Sequence, residues 1–351
     1  MPAMRKSLSC AVAGTIAGGL LLCMAPASVA DQIGGGGVFN STPDPKPTTS
    51  AGTDGQTISA EAGVVYDTSK NGKGASAGPV TSTTTWTPPA CYYAPFQTPN
   101  DLEKDMEEAW GSTAPSAEWI LSSQNYYKNG HPYTDFNKDK TGKGYWWSSF
   151  VTPGRESDPA ADDCNEEHEF WVDKGDPPPA DKPQSVTPEK LAQLAYAQVR
   201  VPGTEVTLAP AGTTKVNLPT WAWLDATEFE PVSVTARVPM LGIYATTTAT
   251  PVSVKIDPGT TDAVTYPASG VCGLDGDQIG EPYAKGKSDE TPPCGVKYLR
   301  SSGNGSFQLE ATVTWKITWT GTGVADERSL PDGTFGAPQN VVVQEIQSVN
   351  R

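Results

Sequence analysis

The segment DFNKDKTG sets Asp135, Asn137, Asp139 and Thr141 at alternate positions, the spacing at which oxygens of one turn converge on a calcium ion. Lys140 stands where the sharp turn of such a loop takes glycine, and Trp146 stands where a bidentate glutamate would close the shell. The same residues also read as a polar hairpin turn without metal. Calcium is thus the one cofactor considered, against an expectation of none. Gly74-Ala75-Ser76-Ala77-Gly78 has the form of a nucleophile elbow, but in a small-residue stretch that offers no strand-to-helix turn. A serine hydrolase would draw its base from His131 or His168, the two histidines of the chain. Gly280 and Gly286-Lys287-Ser288 enclose five residues where a phosphate loop has four, so no nucleotide is expected. No His-Glu-x-x-His helix exists to hold zinc. The acidic residues Glu107, Glu108, Asp162, Asp163, Glu166 and Glu169 could supply the two carboxylates that glycoside hydrolysis needs.

Aromatic residues offer a second chemistry. Tyr92, Tyr93, Tyr126, Tyr127, Trp146 and Trp147 crowd one block, and flat rings of this kind stack on the C–H face of a sugar. The competing reading is a small module that builds its core from rings. Trp146 and Trp147 are adjacent, so in a strand they face opposite ways, which leaves one free to stack. Trp221 and Trp223, in VNLPTWAWLD, share one strand face just before a run of valines. They read as part of a core wall, with a ligand platform as the alternative.

The elements that must position these residues follow from composition and period. Arg5 and Lys6, an apolar run from Ala11 to Leu22 and the small residues Ser28-Val29-Ala30 read as a secretory signal peptide over 1–30. Cys23 follows Leu22, where lipoprotein processing takes a small residue. No later stretch is long and apolar enough to span a bilayer. The formal charge is −15, and −17 once Arg5 and Lys6 leave, which repels phosphate backbones; no nucleic acid is expected. Four cysteines remain after the leader, and an even count in an exported chain argues for two disulfides. Of three pairings, Cys91 with Cys164 and Cys272 with Cys294 keep each bond inside one compositional block.

Residues 31–89 are rich in Gly, Ser, Thr and Pro and read as a disordered tether, with a short strand near Val64 to Tyr66. Residues 90–174 form an aromatic-rich disulfide module, of mixed helix and strand. Asn100 to Glu103 reads there as a capping box, ahead of a helix on Leu102, Met106, Ala109 and Trp110. A Pro-rich linker, 175–186, follows. Thr187-Pro188-Glu189 then opens a second helix that shows Leu191, Leu194, Ala195 and Val199 on one side. From there the period becomes two: Phe307, Leu309, Ala311, Val313, Trp315, Ile317 and Trp319 alternate with polar residues, as the valines of 232–238 do. The fold class is mainly β, with an antiparallel sandwich over 187–351.

VNLPTWAWLD, VSVTARV, TATPVSVKIDPG, CGVKYLRSSG, FQLEATVTWKITWTG and VQEIQSVN together resemble a family of uncharacterised secreted actinobacterial proteins, often labelled ATP/GTP-binding. These carry a domain similar to the polycystic-kidney-disease (PKD) type, an immunoglobulin-like sandwich. The resemblance implies a non-catalytic extracellular module. It departs from the PKD pattern at Lys255 to Gly259 and at Val296 to Tyr298. The expected protein is a secreted, non-enzymatic binding or scaffolding protein, partnered by an extracellular protein or a cell-wall polysaccharide. The alternative is an envelope carbohydrate-active protein, binder or glycoside hydrolase, seated in the aromatic module.

Overall fold

The computed structural model describes residues 63–346, apart from 75, 114, 225–228 and 276–277. The signal segment 1–30 and the first part of the tether, 31–62, lie outside the described residues. From 63 onward the stretch expected to be a free tether is folded. Strands β1 (Val65–Asp67), β2 (Gly78–Pro79) and β3 (Thr81–Ser82) each pair with a later strand. Trp86 meets the Tyr196 ring edge-on at 5.2 Å. A segment too polar to bury a core of its own is held because its backbone groups pair with edges that already exist, while Val64 and Tyr66 rest on a core made by others.

The aromatic module is built from β4 (Cys91–Gln97), α1 (Pro99–Gly111), α2 (Ala117–Tyr127), β5 (Gly144–Val151) and β6 (Phe170–Asp173). β4, β5 and β6 make one antiparallel sheet. α1 is capped by Thr98, whose hydroxyl accepts from the Asp101 amide while the Asp101 carboxylate reaches back. The box therefore begins two residues earlier than Asn100, because Pro99 suits the first helical position and has no amide to satisfy. One face of the sheet buries Trp146 and Trp171 with Leu102, Met106, Tyr127 and Phe136. The opposite face sends Tyr93, Trp147, Phe170 and Val172 into the main core. The amides of Glu169, just ahead of β6, and of Trp171 within it donate to the hydroxyls of Tyr127 and Tyr133 at 2.9 and 3.3 Å.

The Cys91–Cys164 bond closes this module. The end of the expected linker is not a spacer. Tyr93 donates to the Gln184 carbonyl at 3.1 Å and accepts from the Val186 amide at 2.9 Å, so residues 184–186 run along β4. The prolines stop helix and sheet before that point, but Val186 is apolar enough to be drawn into the core.

α3 (Pro188–Gln198) begins at Thr187, whose hydroxyl accepts from the Lys190 amide at 3.1 Å, and buries Leu191, Leu194, Ala195 and the following Val199 as its spacing predicts. Then come β7 (Arg200–Val201), β8 (Thr207–Ala209), β9 (Thr213–Lys215), β10 (Thr220–Trp223), β11 (Val232–Val238), β12 (Ile243–Asp257), β13 (Ala263–Tyr266), β14 (Val271–Asp275), β15 (Gln278–Ile279), β16 (Gly295–Tyr298), β17 (Phe307–Gly321), β18 (Arg328–Ser329) and β19 (Gly333–Gln344). The larger sheet runs β1-β11-β12-β17-β19-β3, with β14 beside β12, β18 beside β17 and β9 beside β19. The smaller runs β13-β16-β10-β8.

β17 buries Leu309, Ala311, Val313, Trp315 and Ile317 completely and leaves Glu310 and Lys316 in water. Pro251 sits inside β12, where its missing amide would break the ladder, and the register slips between Pro251 and Ser253 to absorb it. The buried face of the larger sheet meets α3, where the Thr247 hydroxyl donates to the Ala192 carbonyl at 2.8 Å. It meets the smaller sheet where Tyr298 stacks on Phe307 at 5.2 Å. The Cys272–Cys294 bond ties β14 of the larger sheet to the start of β16 in the smaller. The protein is mainly β, with antiparallel sheets face to face in a sandwich-like arrangement.

Candidate functional site

The structure withdraws the sugar platform from the aromatic module. Trp146 is fully buried, Trp147 is 2 % exposed and Tyr127 1 % exposed; of the four candidates, Tyr126 alone is half-buried. The two indoles do face opposite ways, but the sheet is covered on both sides, by α1 and α2 on one and by the main core on the other. Trp146 Nε1 is spent on the Phe136 carbonyl at 3.0 Å.

The calcium segment is likewise used for packing. Asp135, Phe136 and Asn137 have φ of 46°, 56° and 57°, a left-handed run that drives the Phe136 ring into the module's core. Asp135 is paired with Lys138 at 2.9 Å, and the same ammonium holds Glu103 at 2.7 Å. The Thr141 hydroxyl donates to the Lys138 carbonyl, and the Asp139 carbonyl accepts from Lys143 Nζ at 3.2 Å. Among the described residues no group of three or more His, Cys, Asp and Glu side chains is arranged to hold a metal.

Ser76 is exposed and lies against Gly203. His168 instead faces Ser122 of α2, with Nε2 to Oγ at 3.3 Å, and burial lowers the pKa of its ring. The neighbouring Glu167 carboxylate lies 3.7 Å from that same Nε2. An acid that orients a catalytic imidazole must sit on the other nitrogen, Nδ1. Glu169 is buried, its carboxyl pushed up by desolvation, and accepts from the Tyr127 hydroxyl. Glu166 accepts from Tyr93 at 2.9 Å and pairs with Lys182. These groups hold α2 and the module's sheet in place.

The described residues also form depressions. An apolar recess of about 220 Å³ is lined by Tyr145, Trp147, Val172, Pro178, Leu241 and Ile243. An open polar hollow of about 690 Å³ is lined by residues that include Lys70, Lys73 and Glu230.

The strongest arrangement lies on the smaller sheet. In β10, Ala222 and the following Leu224 enter the main core, as do Leu208, Val296 and Tyr298 of the neighbouring strands. Side chains alternate, so Trp221 and Trp223 stand on the outer face. Trp221 is buried, 3 % exposed, as a wall residue is, but it packs outside both core clusters, and Trp223 is only half-buried. Trp221 is covered by the segment between Gly280 and Cys294. Tyr283 meets its ring edge-on at 5.8 Å, and Lys287 Nζ stands 5.3 Å from the ring centre. The same ammonium donates to Glu281. Gly280, φ 78°, bridges to Trp223 so closely that a Cβ there would meet the Ala222 carbonyl oxygen at 2.4 Å. Gly295 lies opposite Trp221 on β16, and on that outer face Val264 is 39 % exposed. Sequence reasoning placed the two indoles on one strand face but missed Glu281, Tyr283 and Lys287. The signal present was parity: Ala222 and Leu224 are the pair that continues the apolar face.

No protein-family model, curated protein or solved structure matches the chain.

Proposed function

We propose that this is a secreted, non-enzymatic binding or scaffolding protein of the cell envelope or extracellular space, with a PKD-like sandwich as its rigid frame. One observation carries the reading: two indoles stand on the outer face of the smaller sheet, where the core does not use them. An aromatic pair beside exposed apolar surface is the composition of a contact site. The two cystines fit an oxidising compartment outside the cytoplasm, and no helix among the described residues is long and apolar enough to cross a membrane. The partner is an extracellular protein or a cell-wall polysaccharide.

The carbohydrate reading moves to Trp223. Trp223 is half-buried and offers an edge to stack on, where Trp146 and Trp147 offer none. The deciding experiment compares the mature protein with Trp223→Ala for retention on purified cell-wall polysaccharide and on extracellular protein fractions. Retention that falls at least several-fold in the variant, with an unchanged melting temperature, supports the reading. Equal retention of both proteins, or of neither, on every fraction refutes it.

A further inference from the structure

We infer that the outer face of Trp221, with Glu281 and Tyr283, is a receptor for the ammonium of a partner's lysine side chain, and that Lys287 occupies it from within the same chain. The inference rests on the proposed binding role of this face and names the chemistry of what is bound. A cation is held best by an aromatic face when a carboxylate shares it and a second ring limits water. All three are present around one point: the indole of Trp221 at 5.3 Å, the Glu281 carboxylate in direct contact, and Tyr283 set edge-on to the indole.

The occupant is not fixed in place by the core. Lys287 sits on a surface segment whose two ends are anchored independently, by the Gly280–Trp223 bridge and by Cys294 in its bond to Cys272. Between those ends, Pro282 to Gly286 and Ser288 to Thr291 are exposed, so the segment's middle borders solvent and not the core. Glu281 is half-exposed and Tyr283 is 40 % exposed, so an incoming chain reaches both without unfolding anything. Lysine suits the site because it brings a point charge on an apolar stem, the same group that rests there now. The chain's net charge of −15 draws a basic polypeptide toward it and repels an acidic one. Lys287 then acts as a tethered competitor: the apparent affinity for the partner is reduced by the fraction of time that the site is open.

The experiment uses the full mature protein and titrates a short lysine-containing peptide, and the same peptide acetylated at lysine, into the parent, Lys287→Met and the double variant Lys287→Met/Glu281→Gln. Binding is read by calorimetry and by indole fluorescence. Methionine keeps an apolar stem over the ring and removes the charge. If Lys287 fills the site nine-tenths of the time, its removal tightens binding about tenfold. The expected result is that gain for the unmodified peptide, its disappearance on acetylation, and its loss in the double variant. Binding to Lys287→Met no tighter than to the parent, or equal binding of the acetylated peptide, overturns the inference. Should Lys287→Met fail to fold, the parent is treated with an amine-acetylating reagent and Lys287 is quantified by mass spectrometry. Greater labelling of Lys287 when the peptide is present supports displacement; unchanged labelling at saturating peptide overturns it. Retention on an envelope fraction that depends on Trp223 but shows no lysine preference sinks this inference and leaves the binding role standing.

Discussion

Removing the Cys272–Cys294 bond, as Cys272→Ala/Cys294→Ala, tests both the architecture and the site. The bond joins β14 of the larger sheet to the start of β16 in the smaller, and both sulfurs are buried, 4 % and 1 % exposed. For a sequence separation of 22, closing the loop in the unfolded chain corresponds to about 3 kcal/mol of stability. Chemical denaturation should show a lower midpoint and a steeper dependence on denaturant, because the unfolded chain is freed to expand. The same change unpins one end of the segment that covers Trp221, so indole emission should move to longer wavelength before global unfolding begins. Cys91→Ala/Cys164→Ala is the control: its separation of 73 corresponds to about 4 kcal/mol, but that bond lies in the aromatic module and should leave the early emission unchanged. An unaltered midpoint on loss of Cys272–Cys294 would refute the role of this bond as the tie between sheets. An early emission shift in the control alone would refute the described cover of Trp221.

Three further outcomes are expected. Trp146→Ala should cost about 3–5 kcal/mol in urea unfolding, since a fully buried indole between two Tyr rings and Trp171 leaves a cavity that its neighbours cannot fill. Glu169 carries a carboxyl raised by desolvation, so its folded value lies above its unfolded one. The stabilisation from its protonated form is complete below the ordinary carboxyl range and is lost as pH rises from there through the folded value. The parent's melting temperature should therefore fall relative to Glu169→Gln as pH rises from the ordinary carboxyl range, and parallel curves would contradict this. Thr187→Ala removes the cap of α3 and should cost about 1 kcal/mol, read as a lower denaturation midpoint.

The sheets were legible because their alternation is a local record of burial. β17 needs no partner in view for Leu309 through Ile317 to declare one face, and Thr187-Pro188 declares a helix start in two residues. Both cystine pairings follow from composition blocks and are the ones formed. What could not be read was the fate of groups whose surroundings come from distant sequence. Residues 63–89 look like a tether since nothing within them is apolar enough to fold, and only the far strands give them order. Trp146 and Trp147 look available because a strand commonly has one wet side, whereas this one is covered twice. Lys287 looks like a fragment of a phosphate loop, and its true neighbours, Trp221 and Glu281, come together through a disulfide-anchored turn that no spacing reveals.

Both margins of the larger sheet are finished by a single short stretch of chain: β1 borders β11 on one side, and β3 borders β19 on the other. Proteolytic cleavage just after Ser82 would thus detach the strands of both flanks at once. Bare ladders exposed there would invite copies of the protein to dock edge to edge, and the damaged form should be recognised by its tendency to form fibrils or precipitate.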